Sequence, residues 1–396
     1  MIIRLPRPLV KNQEAVIPAF TKQYKKEKNA IIDDLRKLGC FSLSSKENFF
    51  RVRRCLPTGL PALDVICARD INGVYGLPFG KQIELAGKQD SGKTSLALQI
   101  AAAAIDQGCD VLWIEKEDSL NEYRVRIFSE GLWSEMQVSA PDYLEQVLSL
   151  IKKSVLIVPR YIDKSYKPGR GLVIIWDSVA ATPTRLELKP PKKEQNEQEF
   201  QSSQIAEFAR ILSRYERKIT KRLAERDVMI IYINQLKDKI GQSWGDKLET
   251  YGGNALRFRC AIRMAIDYAG RIQAIVEEEP EDNDENEDTE YDEKKVNKRK
   301  RMKFSGINMN IRNKKNKILP PWGEVMGLEY SFKNGFNKNQ SLLFALEEKG
   351  YASKRGTKYI IQNFDTEEVY TLKEFEKIMK MRPYLYNKLV SMINAS

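Results

Sequence analysis

KQIELAGKQDSGKTSLALQIAAAAI, residues 81–105, is the stretch that decides the fold. Lys81–Ala86 is an apolar run of strand length, and Ser95–Ile105 is rich in helix formers. Between them Gly87-Lys-Gln-Asp-Ser-Gly-Lys-Thr94 matches GxxxxGK[ST], in the strand–loop–helix setting that the motif requires. Glycines let the loop curl, so that successive backbone N–H groups converge on a phosphate at the start of the helix. The spacing predicts that Gly87, Gln89, Asp90, Ser91, Gly92, Lys93, Thr94 and Ser95 hold a nucleoside triphosphate. In that reading Lys93 supplies a point charge to the β and γ oxygens, and the Thr94 hydroxyl ligates Mg2+.

Outward from this stretch, Asp110–Ile114, Leu172–Trp176 and Val228–Ile233 are continuous apolar runs of strand length. Strands buried on both faces of a parallel sheet have this composition, and intervening helical stretches such as Gln204–Glu225 predict an α/β order. Asp177 ends one such strand, at the edge where ligands bind in open α/β sheets, and is expected to hold Mg2+ through water. The chain of 396 residues contains no histidine, so every imidazole-based triad, zinc site or phosphorelay is excluded. Any base that activates water must be drawn from other groups. Acids lie at the tip of the strand that follows the loop helix, and Glu117 is the first choice for that base, with Glu115 in reserve.

The net charge of +12 is uneven, because residues 277–293 (EEEPEDNDENEDTEYDE) carry 12 acids and no base. The remainder therefore carries +24, and such a basic body predicts a polyanionic partner, nucleic acid first. Five widely spread cysteines without a CxxC pair read as reduced thiols. No apolar run approaches the ~18 residues of a membrane span, and the N-terminus lacks a secretory signal, which predicts a cytoplasmic chain.

Short signals organise the rest. Asn29–Lys37 reads as an amphipathic helix and Asn48–Arg54 as a strand. Leu186–Phe200 (LELKPPKKEQNEQEF) reads as a loop, and Gln235–Asn254 as a second polar, glycine-containing stretch. Residues 277–303 join the acid run to a basic run, a composition that predicts a disordered insert. Gly306–Tyr330 looks like β structure, and Gln340–Ser396 like a small mixed unit ending in helices Thr371–Lys380 and Pro383–Ile393.

With these residues placed, the chain resembles the RecA recombinase family, the bacterial branch most of all. The likeness rests on Thr58–Asp64, the loop itself, Trp113–Glu117, Val138–Asp142, Trp176–Ala181, Ile233-Asn-Gln235 and Thr250–Arg257. It implies a RecA-type P-loop ATPase core, α/β, with a mainly parallel twisted sheet flanked by helices over residues 56–345. Residues 1–55 would be a polymerisation helix and strand, and 346–396 a small C-terminal domain.

By the same resemblance the chain is a DNA-dependent ATPase. It would form helical filaments on single-stranded DNA with ATP and Mg2+, pair them with homologous double-stranded DNA and exchange strands. Glu117 would activate water, and Gln235 would sense the γ-phosphate and couple it to DNA. Lys315 and Lys317 would reach the neighbouring subunit's nucleotide, and Tyr123 would stack on adenine. Leu186–Phe200 and Leu236–Asn254 would be the DNA loops, with Trp244 stacking on bases and Gly252, Gly253, Asn254 and Arg257 at the DNA side. The insert falls where the family has a hairpin turn, and its purpose has no account in the sequence. The divergent ends and the acid run lean toward a phage-encoded member. A RecA-core helicase and a non-catalytic DNA-binding mediator remain the competing readings.

Overall fold

In this computed structural model the described residues are 21–40, 42, 51–188, 197–238, 248–278, 299–320, 323–363 and 366–395. The chain divides into Met1–Phe50 and Arg51–Ser396. In the first unit the helix Thr21–Lys37 starts earlier than its apolar period indicated; Ile31 and Leu35 on it are exposed. Residues 1–20 of the expected polymerisation segment lie outside the described residues.

The second unit is built on one sheet. Its order runs Gly335–Phe336, Glu324–Ser331, Arg299–Asn316, Ile262–Glu278, Gln82–Gly87, Val228–Asp238, Leu172–Asp177, Asp110–Glu115, Gln137–Ser139. From Ile262–Glu278 to Gln137–Ser139 all neighbours are parallel; the other three strands add antiparallel. This is the α/β, mainly parallel arrangement that the apolar runs predicted.

Those runs are continuous because helices cover both faces. Val173, Ile175, Ile231 and Ile233 pack toward the core that contains Leu96 and Ile100 of the helix Lys93–Asp106. Their neighbours Ile174, Trp176, Ile230 and Tyr232 pack into a second core with helices Leu144–Ile157 and Glu197–Ala224. Alternation of period two thus survives, with both phases apolar.

One polar contact crosses the second core. Glu216 is fully buried and accepts hydrogen bonds from Tyr232 Oη (2.8 Å) and Gln82 Nε2. Burial pushes its carboxyl up to about 7, against the pull of those two donors.

Four local expectations change. Val52–Arg54 is not a strand; the strand is Cys55–Leu56, paired with Tyr75–Pro78. The alternation around Arg53 and Arg54 has another cause: their guanidinium groups lie over the rings of Tyr161 and Phe79. The stretch Leu186–Phe200 is a turn at its start but already helix from Glu197, where the Glu/Gln composition favours it; residues 189–196 lie outside the described set. Gln235–Asn254 is partly a hairpin, because Leu236–Asp238 pairs antiparallel with Leu248–Thr250. The flanks of the 277–303 insert are also strand. In the backbone register Glu277 pairs with Lys300 and Glu278 with Arg299, while residues 279–298 lie outside the described set.

The C-terminal stretch forms a helix Lys338–Glu348, a three-stranded antiparallel sheet and helices Leu372–Met381 and Pro383–Ala395. Thr371 and Glu374 make a capping box at the first of these two. Phe375, Met379 and Ile393 join the same core as the main sheet. Among the described residues all five cysteines are free thiols, and no helix is long and apolar enough to cross a membrane.

Glu216 supplies a test of the second core. Its pKa is higher in the folded chain than in the unfolded one, so the folded state keeps a proton that the unfolded state has lost. Stability from this group therefore falls as pH rises from about 4.5 to about 7 and is level above. Glu216→Gln should remove that fall, with the wild-type and variant unfolding free energies diverging by on the order of 3 kcal/mol across the window. Denaturant titrations at several pH values measure it.

Candidate functional site

Parallel registration brings the site together. Gly87 pairs with Gln235 and Glu115 pairs with Asp177, so strand ends from distant parts of the sequence finish level at one rim. The backbone N–H of Lys116 donates to the Asp177 carbonyl (2.7 Å), which ties the acidic tip to that strand.

The loop after Gly87 turns through left-handed backbone at Asp90 (φ 57°) and Gly92 (φ 90°). A Cβ on Gly92 would come within 2.7 Å of Met309, and one on Gly87 within 2.4 Å of the Ile266 carbonyl. Both positions therefore require glycine. Gln89 and Asp90 are exposed at the loop's crest, whereas Ser91 is buried and its Oγ has no partner among the described residues. Lys93 opens the helix and donates from Nζ to the Lys88 carbonyl (2.6 Å). Burial lowers its pKa, opposed by the charges of Glu117, Asp177 and Asp90. The hydroxyl of Thr94 donates to Asp177 Oδ2 (2.9 Å), and Ser95 Oγ accepts from Arg124 Nη2 (3.4 Å).

Asp177 is fully buried. Burial raises its carboxyl to about 7, helped by the nearby Glu117 charge, while the Thr94 hydrogen bond pulls the other way. Its second oxygen, Oδ1, has no hydrogen-bond partner among the described residues. An orphaned buried carboxylate oxygen beside a hydroxyl and a second acid fits a hard divalent cation. Among the described residues no group of three or more His, Cys, Asp or Glu can hold an ion by itself. The donor set thus suits a cation that shares its remaining positions with water and a ligand's phosphates, as Mg2+ does.

Two acids compete for the role of base, and the geometry separates them. Glu115 Oε1 accepts from the backbone N–H groups of Glu117 (2.7 Å) and Ser119 (3.3 Å), and its Oε2 from Trp113 Nε1 (3.0 Å). It is a bracket for the turn. Glu117 instead points across the rim, where its Oε1 accepts from Ser178 Oγ and from Gln235 Nε2 (3.1 Å). Ser178 was given no role by the sequence; its signal there was its place beside Asp177 in the Trp176–Ala181 stretch.

Other expected residues lie apart from this cluster. Tyr123, in the short helix Glu122–Arg126, is 68% exposed. Lys315 Nζ donates to the carbonyls of Arg257 and Phe258 (3.1 Å), and Lys317 Nζ to that of Phe258 (2.8 Å). Both lysines sit against the helix Asn254–Arg259, at the end that a cation favours. Burial, then the charge of Lys317, lowers the Lys315 pKa to about 8. Gly252 (φ 88°) and Gly253 (φ 63°) turn the chain into that helix, on which Asn254 and Arg257 are exposed. A cleft of about 630 Å³ opens there, lined by Lys88, Arg257, Arg312, Lys314 and Lys315 among others. Trp244 lies outside the described residues.

Comparison with known proteins adds an independent line. The RecA N-terminal domain model matches residues 36–291. The mitochondrial DNA repair protein recA homolog of Dictyostelium discoideum is 30% identical over 77% of this chain and 56% of its own length. Protein RecA of Fusobacterium nucleatum is 28% identical over 76% of this chain and 66% of its own, and that of Agrobacterium fabrum 31% identical over 79% and 72%. The match therefore spans less than two thirds of the first two relatives.

The division between the acids can be checked by stability alone. Glu115→Gln places an amide N–H₂ among donors and should lower the unfolding free energy by roughly 1–3 kcal/mol. Glu117→Gln removes a charge that repels Asp177 and should leave stability unchanged or raised. Chemical denaturation of the two variants distinguishes them.

Proposed function

The chain belongs to the RecA family, and from that premise we propose that it is an ATP-dependent DNA recombinase. In this reading it assembles helical filaments on single-stranded DNA, pairs them with homologous duplex and exchanges strands, hydrolysing ATP as it does so. The observation that carries the reading is the contact of Thr94 with the buried Asp177, with Glu117 and Gln235 joined beside it.

The residues divide the work by their chemistry. The backbone of Gly87–Gly92 wraps the β-phosphate, and Lys93 brings its charge to the β and γ oxygens. Thr94 and Asp177 would hold Mg2+, which neutralises charge on the phosphates when bound. Glu117 uses its Oε1 for the two donors, which leaves Oε2 for an attacking water. Gln235 is shared between Glu117 and the space where a γ-phosphate would lie, so its amide can report which nucleotide is present.

Completion of the site requires a neighbour. Lys315 and Lys317 rest on their own helix end in the single chain, and in an assembly they would turn to the adjoining subunit's γ-phosphate. A cation supplied in trans makes ATP the joint between subunits, and hydrolysis its release. DNA would lie along the stretches 186–200 and 236–254, with Trp244 stacking on bases and Gly252, Gly253, Asn254 and Arg257 beside the phosphates. Contacts to phosphates dominate such binding, which predicts steep salt dependence and little sequence preference.

ATP turnover measured with and without single-stranded DNA tests the proposal. Stimulated turnover is expected, and its absence would favour a non-catalytic mediator; unwinding of duplex from one end would favour a helicase. Glu117→Gln should retain binding of a fluorescent ATP analogue while turnover falls by about 10²–10⁴-fold. Lys93→Ala should lose both the analogue and ATP-dependent filaments, read by fluorescence and electron microscopy.

A further inference from the structure

An ion pair between a fully buried carboxylate and a mostly covered guanidinium lies beneath the rim and joins its two halves. Glu84, in the strand Gln82–Gly87, is fully buried, and its register partner across the parallel ladder is Arg263. Each Glu84 oxygen has one partner: Oε2 accepts from Arg263 Nε, and Oε1 accepts from Asn234 Nδ2 (2.9 Å). Asn234 precedes Gln235, and its Oδ1 accepts from the Gln235 backbone N–H (2.9 Å). The same Asn234 amide donates to the Tyr251 carbonyl (2.8 Å), and Arg263 Nη2 donates to Thr250 Oγ1 (3.1 Å). One carboxylate therefore ties the strand end that carries Gln235 to Thr250 and Tyr251, the residues that lead into Gly252–Asn254.

Packing alone does not require this arrangement. An apolar pair of similar volume serves a core as well as a buried ion pair, or better, because two charges need not be desolvated. What an apolar pair cannot do is fix four side chains and a backbone carbonyl by directed hydrogen bonds. The fixed geometry lies between a residue that contacts Glu117 and the turn at the start of the helix Asn254–Arg259.

We infer that Glu84 and Arg263 are positioning residues that lock Gln235 to the Thr250–Asn254 turn, so that movement of Gln235 at the nucleotide is carried to the DNA side. This rests on the recombinase reading above, which supplies the two ligands. The Gln235 amide is engaged by Glu117. When a γ-phosphate draws that amide away, the strand end shifts, and Asn234 and Glu84 pass the shift to Thr250 and Tyr251.

The test uses the full chain, a non-hydrolysable ATP analogue with Mg2+, and an oligothymidylate. In the wild type the analogue should tighten oligothymidylate binding by roughly 5–150-fold and alter amide hydrogen exchange over residues 248–256. Arg263→Met should bind the analogue with unchanged affinity, yet the ratio should fall to about one and the exchange change should vanish. Glu84→Leu combined with Arg263→Met replaces the ion pair by an apolar one. It should recover any lost melting temperature without recovering the ratio.

A wild-type ratio in either variant, or a wild-type chain whose 248–256 exchange ignores the bound analogue, overturns the inference. Failure of the wild type to bind the analogue or to show stimulated turnover overturns the recombinase reading instead, and the inference with it.

Discussion

The rim of the sheet depends on one constraint: a carboxylate held without water at the end of an apolar strand. Asp177 follows Val173, Ile174, Ile175 and Trp176, all fully buried, so its position is set by the sheet and cannot relax toward solvent. A lone charge there would be costly. The Thr94 hydroxyl satisfies one oxygen, and the other is left unpartnered at the mouth of the loop. The raised pKa of Asp177, the lowered pKa of Lys93 and the outward aim of Glu117 belong to the same economy of charge. Opposite groups are kept close in a buried setting.

Around that point the molecule separates rigid from adaptable parts. Glu115 and Glu84 spend their oxygens on hydrogen bonds within the protein, and each brackets a turn or strand end. Glu117, Gln235, Lys315 and Lys317 instead make their contacts through side-chain ends at the rim and on a helix end. Two donors meet on Glu117, and the lysines rest on helix carbonyls.

The corrected expectations share a physical origin. Polar, charged stretches read as loops because they lack an apolar period, yet strands and helices at an edge need only one buried face or none. Leu236–Asp238 and Glu277–Glu278 become strand because another strand lies alongside to take their backbone hydrogen bonds. Glu197–Phe200 becomes helix as the start of a helix whose later turns bury Phe208 and Leu212. In each case what decides the element lies outside the stretch itself, in the strand alongside or the later turns of the helix.

What the sequence by itself determined was the phosphate loop, the parallel α/β sheet, the strand-end Asp177, the absence of imidazole chemistry and the family likeness. These follow from runs of adjacent residues, whose backbone conformation depends chiefly on near neighbours. Tertiary structure alone decided that Glu115 is a bracket and Glu117 the outward acid, that Ser178 joins the site, and that Lys315 and Lys317 rest on the Asn254–Arg259 helix. It also decided the Glu84–Arg263 pair, formed by residues 179 positions apart. Side-chain partnerships of this kind are set by strand register, and register is fixed only when all the strands pack together.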